Sequence, residues 1–124
     1  MGDKILFLTT RLTVAADGSI PFGPDDRALT EVEVRALATI YWPLSEVQHA
    51  VDVSRCESSF HTGAWARVGE DSRGLWQINV GPGAHPQYAQ YNLFDPQINA
   101  YWANQIWRSG GWGPWTCAHI LGIV

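Results

Sequence analysis

Chemistry concentrates between Cys56 and Asn79. Glu57 stands at the end of a helical pattern, and fourteen residues later Asp71 lies in the acidic turn Gly69-Glu70-Asp71-Ser72. That turn runs into an apolar stretch carrying Gln77 and Asn79. A lone Glu among apolar residues, a second carboxylate across a turn, and amides beside tryptophans point to chemistry on a sugar. General acid catalysis needs a carboxyl that keeps its proton near neutral pH, and burial favours this by penalising the charged form.

The elements that hold these residues can be read from capping and periodicity. Thr30 with Glu33 forms a capping box, and Val34, Leu37, Ala38 and Tyr41 follow on one helical face up to Pro43. Ser45 with Gln48 predicts a second box, opening a helix whose apolar stripe is Val47, Ala50, Val51 and Val53. At about 100° per residue, Glu57 falls on that stripe between Ala50 and Val53. An ordinary helical Glu lies on the polar face; this one does not. From Ser58 to Pro86, short runs at Ala64–Val68 and Leu75–Val80 predict a hairpin or two-stranded sheet with long loops. Asp95-Pro96 opens a third helix, which Gly110-Gly111 ends. Residues 1–29 read as an extension packing on a domain of residues 30–124, with Ile5–Val14 as a strand or hairpin arm.

Composition narrows the function. A chain of 124 residues is one domain by length, and its net charge of −4 with eight scattered Lys and Arg gives no basic stripe for nucleic acid. Nor does it provide an attraction to anionic membranes, and no apolar run is long enough to span one. The start, Met1-Gly2-Asp3-Lys4 and a short apolar run broken by Arg11, is a poor secretory signal. The four histidines show neither a HExxH motif nor a close Cys/His pairing, so no metal or other cofactor is expected. Cys56 and Cys117 could pair across a long loop, or Cys56 could be a small buried hydrophobe. As a nucleophile Cys56 is poorly placed, since a reactive thiol favours a helix start. Seven tryptophans exceed what one small core needs, so some could line a groove. Trp42, Trp76, Trp102 and Trp107 fall at core spacing and are expected to pack.

Glu57-Ser58-Ser59-Phe60, Gly74-Leu75-Trp76-Gln77-Ile78-Asn79 and Asn99-Ala100, in this order, resemble the signature of the lysozyme and lytic transglycosylase superfamily. The texture is closest to phage and bacterial lysozyme-like domains, over roughly Val47 to Cys117. The resemblance implies an α+β, mainly helical fold with a small β-hairpin region flanking a sugar-binding cleft. It implies a monomeric peptidoglycan-cleaving enzyme with Glu57 as proton donor between N-acetylmuramic acid and N-acetylglucosamine. Gln77 and Asn79 would line the groove, and Trp112 and Trp115 would wall it. In the animal-type pattern an Asp precedes the Gly of this run by two positions; here Ser72 stands there. Serine cannot trap the sugar cation as a retaining carboxylate does. Two routes remain. One is hydrolysis with Asp71, or Glu70, as base; the other is transglycosylation through the 6-hydroxyl of muramic acid, giving 1,6-anhydro products. The absence of an Ala-Tyr-Asn-Ala-Gly-like segment favours hydrolysis. The expected setting is a phage endolysin released through a holin, or a lysozyme carried in a virion. From another class stands a non-catalytic peptidoglycan-binding or virion structural domain that keeps the fold.

Overall fold

The computed structural model describes residues 22–124. Helix α1 spans Glu31–Tyr41, and a 3-10 turn over Leu44–Glu46 leads into α2, Val47–Ser58. Three short strands follow: β1 Trp65–Ala66, β2 Ser72–Arg73 and β3 Ile78–Asn79. A second 3-10 segment, Pro86–Gln90, precedes the long helix α3, Pro96–Gly110, and the short α4, Thr116–Ile120.

Most helix boundaries follow the capping chemistry. The Thr30 hydroxyl accepts from the Glu33 amide while Glu33 reaches back to the Thr30 amide, closing the expected box. Asp95 caps α3 by accepting from the amides of Gln97 and Ile98, with Pro96 in the first turn and Gly111 after the end. The second box does not form. Leaving Pro43, the chain is already in a 3-10 turn, so Ser45 lies inside it rather than on the extended backbone a capping serine needs. Gln48 instead donates to Asp52 and accepts from Arg35.

The β region also departs from expectation. The sheet has three antiparallel strands in the order β1-β2-β3, with Ser72 opposite both Ala66 and Asn79. Gly74 to Gln77 is a turn rather than a strand start, with φ of 78° at Gly74 and 46° at Gln77. Leu75 and Trp76 are apolar because this turn is fully buried.

The core lies among α1, α2 and α3, on Val34, Leu37, Ala50, Val53, Ala103 and their neighbours. Trp42 joins it to the C-terminal segment, with its ring 5.0 Å from Trp76 and 5.7 Å from Trp112. Trp42 and Trp76 are core residues as expected, whereas Trp102 and Trp107 are only half-buried. Residues 22–29 run along the chain after α2. Phe22 bridges to Ala64 and Ala28 to His61, and Asp26 accepts from the Gly63 amide and meets His61 Nδ1 at 2.9 Å. The expected arm at Ile5–Val14 lies outside the described residues. Among the described residues no helix is long and apolar enough to cross a membrane.

The cysteine alternatives resolve to a bridge: Cys56 and Cys117 form a disulfide with Cα atoms 5.9 Å apart, joining α2 to α4 across 61 residues. Closing a loop of that length contributes about 4 kcal/mol at the upper end in the chain-entropy account. Replacing both cysteines by serine should lower the thermal midpoint by several degrees, read by calorimetry on the oxidised parent and the variant. An unchanged midpoint would show that the bridge does not constrain the unfolded chain.

Candidate active site

Glu57 occupies the last turn of α2 on the same face as Ala50 and Val53, and its exposure is only 1%. Just beyond it the backbone turns sharply, with left-handed φ values of 51° at Ser59 and 64° at Phe60. This turn ends the helix immediately after the carboxyl. Glu57 Oε2 accepts from the Cys117 amide at 3.2 Å, a first-turn amide of α4 that has no acceptor within its own helix. The disulfide joins the neighbours of this hydrogen bond, since Cys56 adjoins Glu57 in sequence and Cys117 is the donor residue.

A cleft of about 280 Å³ opens over Glu57. Glu70, Ser72, Gln77, Asn79 and His85 line its β side, and Ile106, Trp115 and Thr116 its helical side. Ser72 is buried and donates its hydroxyl hydrogen bond to Glu70 Oε1 at 2.5 Å. The amide nitrogen of Gln77 donates to the carbonyls of Ala64 and Gly74, both at 2.9 Å, so it staples the cleft floor. Its buried Oε1 has no hydrogen-bond partner among the described residues. Asn79 Oδ1 accepts from the amides of Asp71 and Gly81, which fixes the loop rim.

Asp71, expected as second carboxylate, is not among the residues lining this cleft. Ser72 opens strand β2 and lines the cleft, and its predecessor turns the other way, as strand alternation requires. Asp71 accepts from Arg73 Nε and Nη2 at 2.9 and 3.0 Å and from Trp65 Nε1 at 2.8 Å. Arg67 and Arg73 both lie over the Trp65 ring. The Arg73 hydrogen bonds, helped by Trp65 and the nearby positive charges, hold the Asp71 carboxyl below its ordinary value.

The two expected wall tryptophans separate. Trp115 lines the cleft and donates Nε1 to the Trp76 carbonyl at 2.7 Å. Trp112 does not line it; it is buried behind, donating to Glu46 at 2.7 Å and stacked on Trp42. The reason is that the segment after α3 turns its first indole into the core. Sequence reasoning missed His85, whose loop returns by hydrogen-bonding its amide to Asn79 O, a contact with no periodic signal. It also missed how Asn99 works. This buried amide of α3 accepts from the Trp76 amide and donates to the carbonyls of Arg73 and Leu93. A polar residue at a core position of a helix was the available signal. Gly74 completes the joint: a Cβ there would collide with the Leu93 carbonyl and the Asn99 amide.

Residues 43–117, more than half of the chain, match the lysozyme-like domain family. The chain belongs to that family. The comparisons with curated proteins and with solved structures each return no match. The α+β, mainly helical architecture with its small antiparallel sheet agrees with a lysozyme-like domain. Membership supports a protein acting on peptidoglycan as glycosidase or transglycosylase, without separating the two. Among the described residues, no group of three or more His, Cys, Asp or Glu could hold a metal ion.

Asp71 in this lysozyme-like domain is a structural anchor, and its pH dependence follows from the sign of its shift. A depressed carboxyl stabilises the fold above its ordinary value of 3.8 and loses that contribution as pH falls through the lower folded value. Its side chain is 35% exposed, so screening reduces the effect to on the order of 1 kcal/mol. Asp71→Asn should therefore be less stable than the parent at pH 7, with the gap closing toward pH 2. Urea melts across that range would contradict this if the gap were constant.

Proposed function

We propose that this lysozyme-like domain hydrolyses the glycan strand of peptidoglycan between N-acetylmuramic acid and N-acetylglucosamine, with Glu57 as general acid. The observation that carries the reading is a carboxyl with 1% exposure, on an apolar helix stripe, at the base of a cleft. A buried carboxyl costs stability unless it is used or paired. Glu57 is held by the Cys117 amide and still lines the groove, where a bound sugar could reach it.

The chemistry runs as follows. Glu57 gives its proton to the glycosidic oxygen, the bond from that oxygen to the sugar C1 breaks, and positive charge develops on the ring. A water adds to C1 and a base takes its proton. Of the carboxylates in the acidic turn, Glu70 suits that role better than Asp71. Glu70 lines the same cleft as Glu57, and the Ser72 hydroxyl holds one of its oxygens. Ser72 thus acts through Glu70 rather than on the sugar. The second reading is transglycosylation, favoured by the engagement of Asp71 with Arg73 and Trp65. It needs no second carboxylate, since Glu57 would donate the proton and then take one from the 6-hydroxyl. The setting we favour is a phage lysin, released through a holin or carried in a virion. Lysis of a producing culture only when a holin is co-expressed would support the first of these.

Glu57→Gln keeps the side-chain shape and removes the proton, so release of fragments from purified sacculi should fall at least about 100-fold. Glu70→Gln should lower kcat by about tenfold or more while leaving the thermal midpoint nearly unchanged. Wild-type cleavage rates in Glu57→Gln would sink the acid assignment. Mass spectrometry of the fragments decides between routes. Hydrated reducing ends are expected; products lighter by one water would replace hydrolysis with transglycosylation.

A further inference from the structure

Outside the cleft, the strongest cluster is a set of aromatic rings where α3 meets α1 and the Pro86–Gln90 segment. Tyr91 stacks on Trp102 with centroids 4.6 Å apart, and Tyr88 lies against the same indole at 4.7 Å. Tyr101 meets Trp102 edge-on at 4.9 Å and reaches Tyr41 of α1 at 6.4 Å. Rings so packed usually belong to a core, yet Tyr91 is 37% and Tyr101 44% exposed. With Gln97 and Ile98 they frame an open groove of about 260 Å³ that no charged residue lines.

The groove's composition and position indicate its occupant. Aromatic faces beside an amide suit a sugar ring, which offers an apolar C–H face and hydrogen-bonding edges. An anionic lipid surface would need basic residues, and the groove lining has none. Position favours a glycan over a protein partner, because a run of contacting rings links the groove to the cleft wall. His85 lines the cleft, and its ring stacks on Tyr88 at 5.9 Å, which leads to Trp102. Along α3, Ile106 lines the cleft, while Trp102 and Ile98 stand one and two turns earlier on the same face. That is a run of about 12 Å along the helix axis. Ring contacts thus run from the cleft wall at His85 through Tyr88 to Trp102 in the groove.

We propose that the Tyr91–Tyr101 groove is a second glycan-binding site that holds the continuing strand of the polymer cut in the cleft. This rests on the reading of the cleft as a glycan site. It gives the half-buried Trp102 a role as the base that holds Tyr88, Tyr91 and Tyr101 in position.

The test pairs Tyr91→Ala/Tyr101→Ala with two substrates: purified sacculi and a short soluble tetrasaccharide of the same glycan. On sacculi the double variant should lose about tenfold in kcat/KM through KM, while on the tetrasaccharide it stays within about twofold. In the Glu57→Gln background, sedimentation with sacculi should show a Kd about tenfold weaker. Unchanged sacculus binding by a folded double variant overturns the proposal, and so does an equal loss on both substrates. A wild-type dimer that the substitutions dissociate, with sacculus binding intact, overturns it in favour of a self-association surface. If the wild type releases no fragments but the substitutions still weaken sacculus binding tenfold, the second site stands and the glycosidase reading fails. Should the double variant unfold, Tyr101→Ala alone, at an exposed helical position, carries the same comparison.

Discussion

The arrangement depends on keeping one carboxyl out of water and in place. Glu57 is the one carboxyl among the buried apolar side chains and serines of its helix, so its presence there needs compensation. The amide of Cys117 provides part of it from the first turn of another helix. The disulfide keeps that turn within reach, because Cys117 is both its half and the donor. Covalent linkage and hydrogen bond therefore act on the same pair of backbone segments. The sharp left-handed turn at Ser59 and Phe60 then leads the chain away, which leaves room for a cleft above the acid.

Around this point the tryptophans do three different jobs. Trp42, Trp76 and Trp112 fill the core in a run of contacting rings. Trp115 has one side on that run and another on the cleft, so a side chain that shapes the site is also braced by the interior. Trp65 stands apart in the β region, where its ring supports two arginines and its N–H binds Asp71. The acidic turn is ordered by this knot, with Asp71 held by Arg73 while its neighbours Glu70 and Ser72 line the cleft.

Legibility from the sequence follows the range of the forces involved. The starts of α1 and α3 were readable because capping joins residues two or three positions apart. The burial of Glu57 was readable because helical period alone assigns it to the apolar face. The entry to α2 was not, since a proline-led 3-10 turn absorbed the serine that looked like a cap. Strand β2 is two residues long and shows no alternation, so Ser72-Arg73 gave no strand signal. The choice between Glu70 and Asp71 as cleft residue depended on Trp65 and Arg73, and thus on a sheet register the sequence does not display. Which tryptophan would face the cleft depended on packing between elements far apart in the chain.

The joint at Asn99 and Gly74 has a thermodynamic consequence. Strands of two residues each cannot form an independently stable sheet. The β region therefore borrows its stability from α3, through one amide that holds Arg73, Trp76 and Leu93 at once. Opening the sheet would strip that buried amide of its partners, and melting α3 would release the sheet. The β side of the cleft is thus coupled through Asn99 to α3, the helix that supplies Ile106 to its other side. The width of the cleft therefore depends on how the sheet is seated on α3.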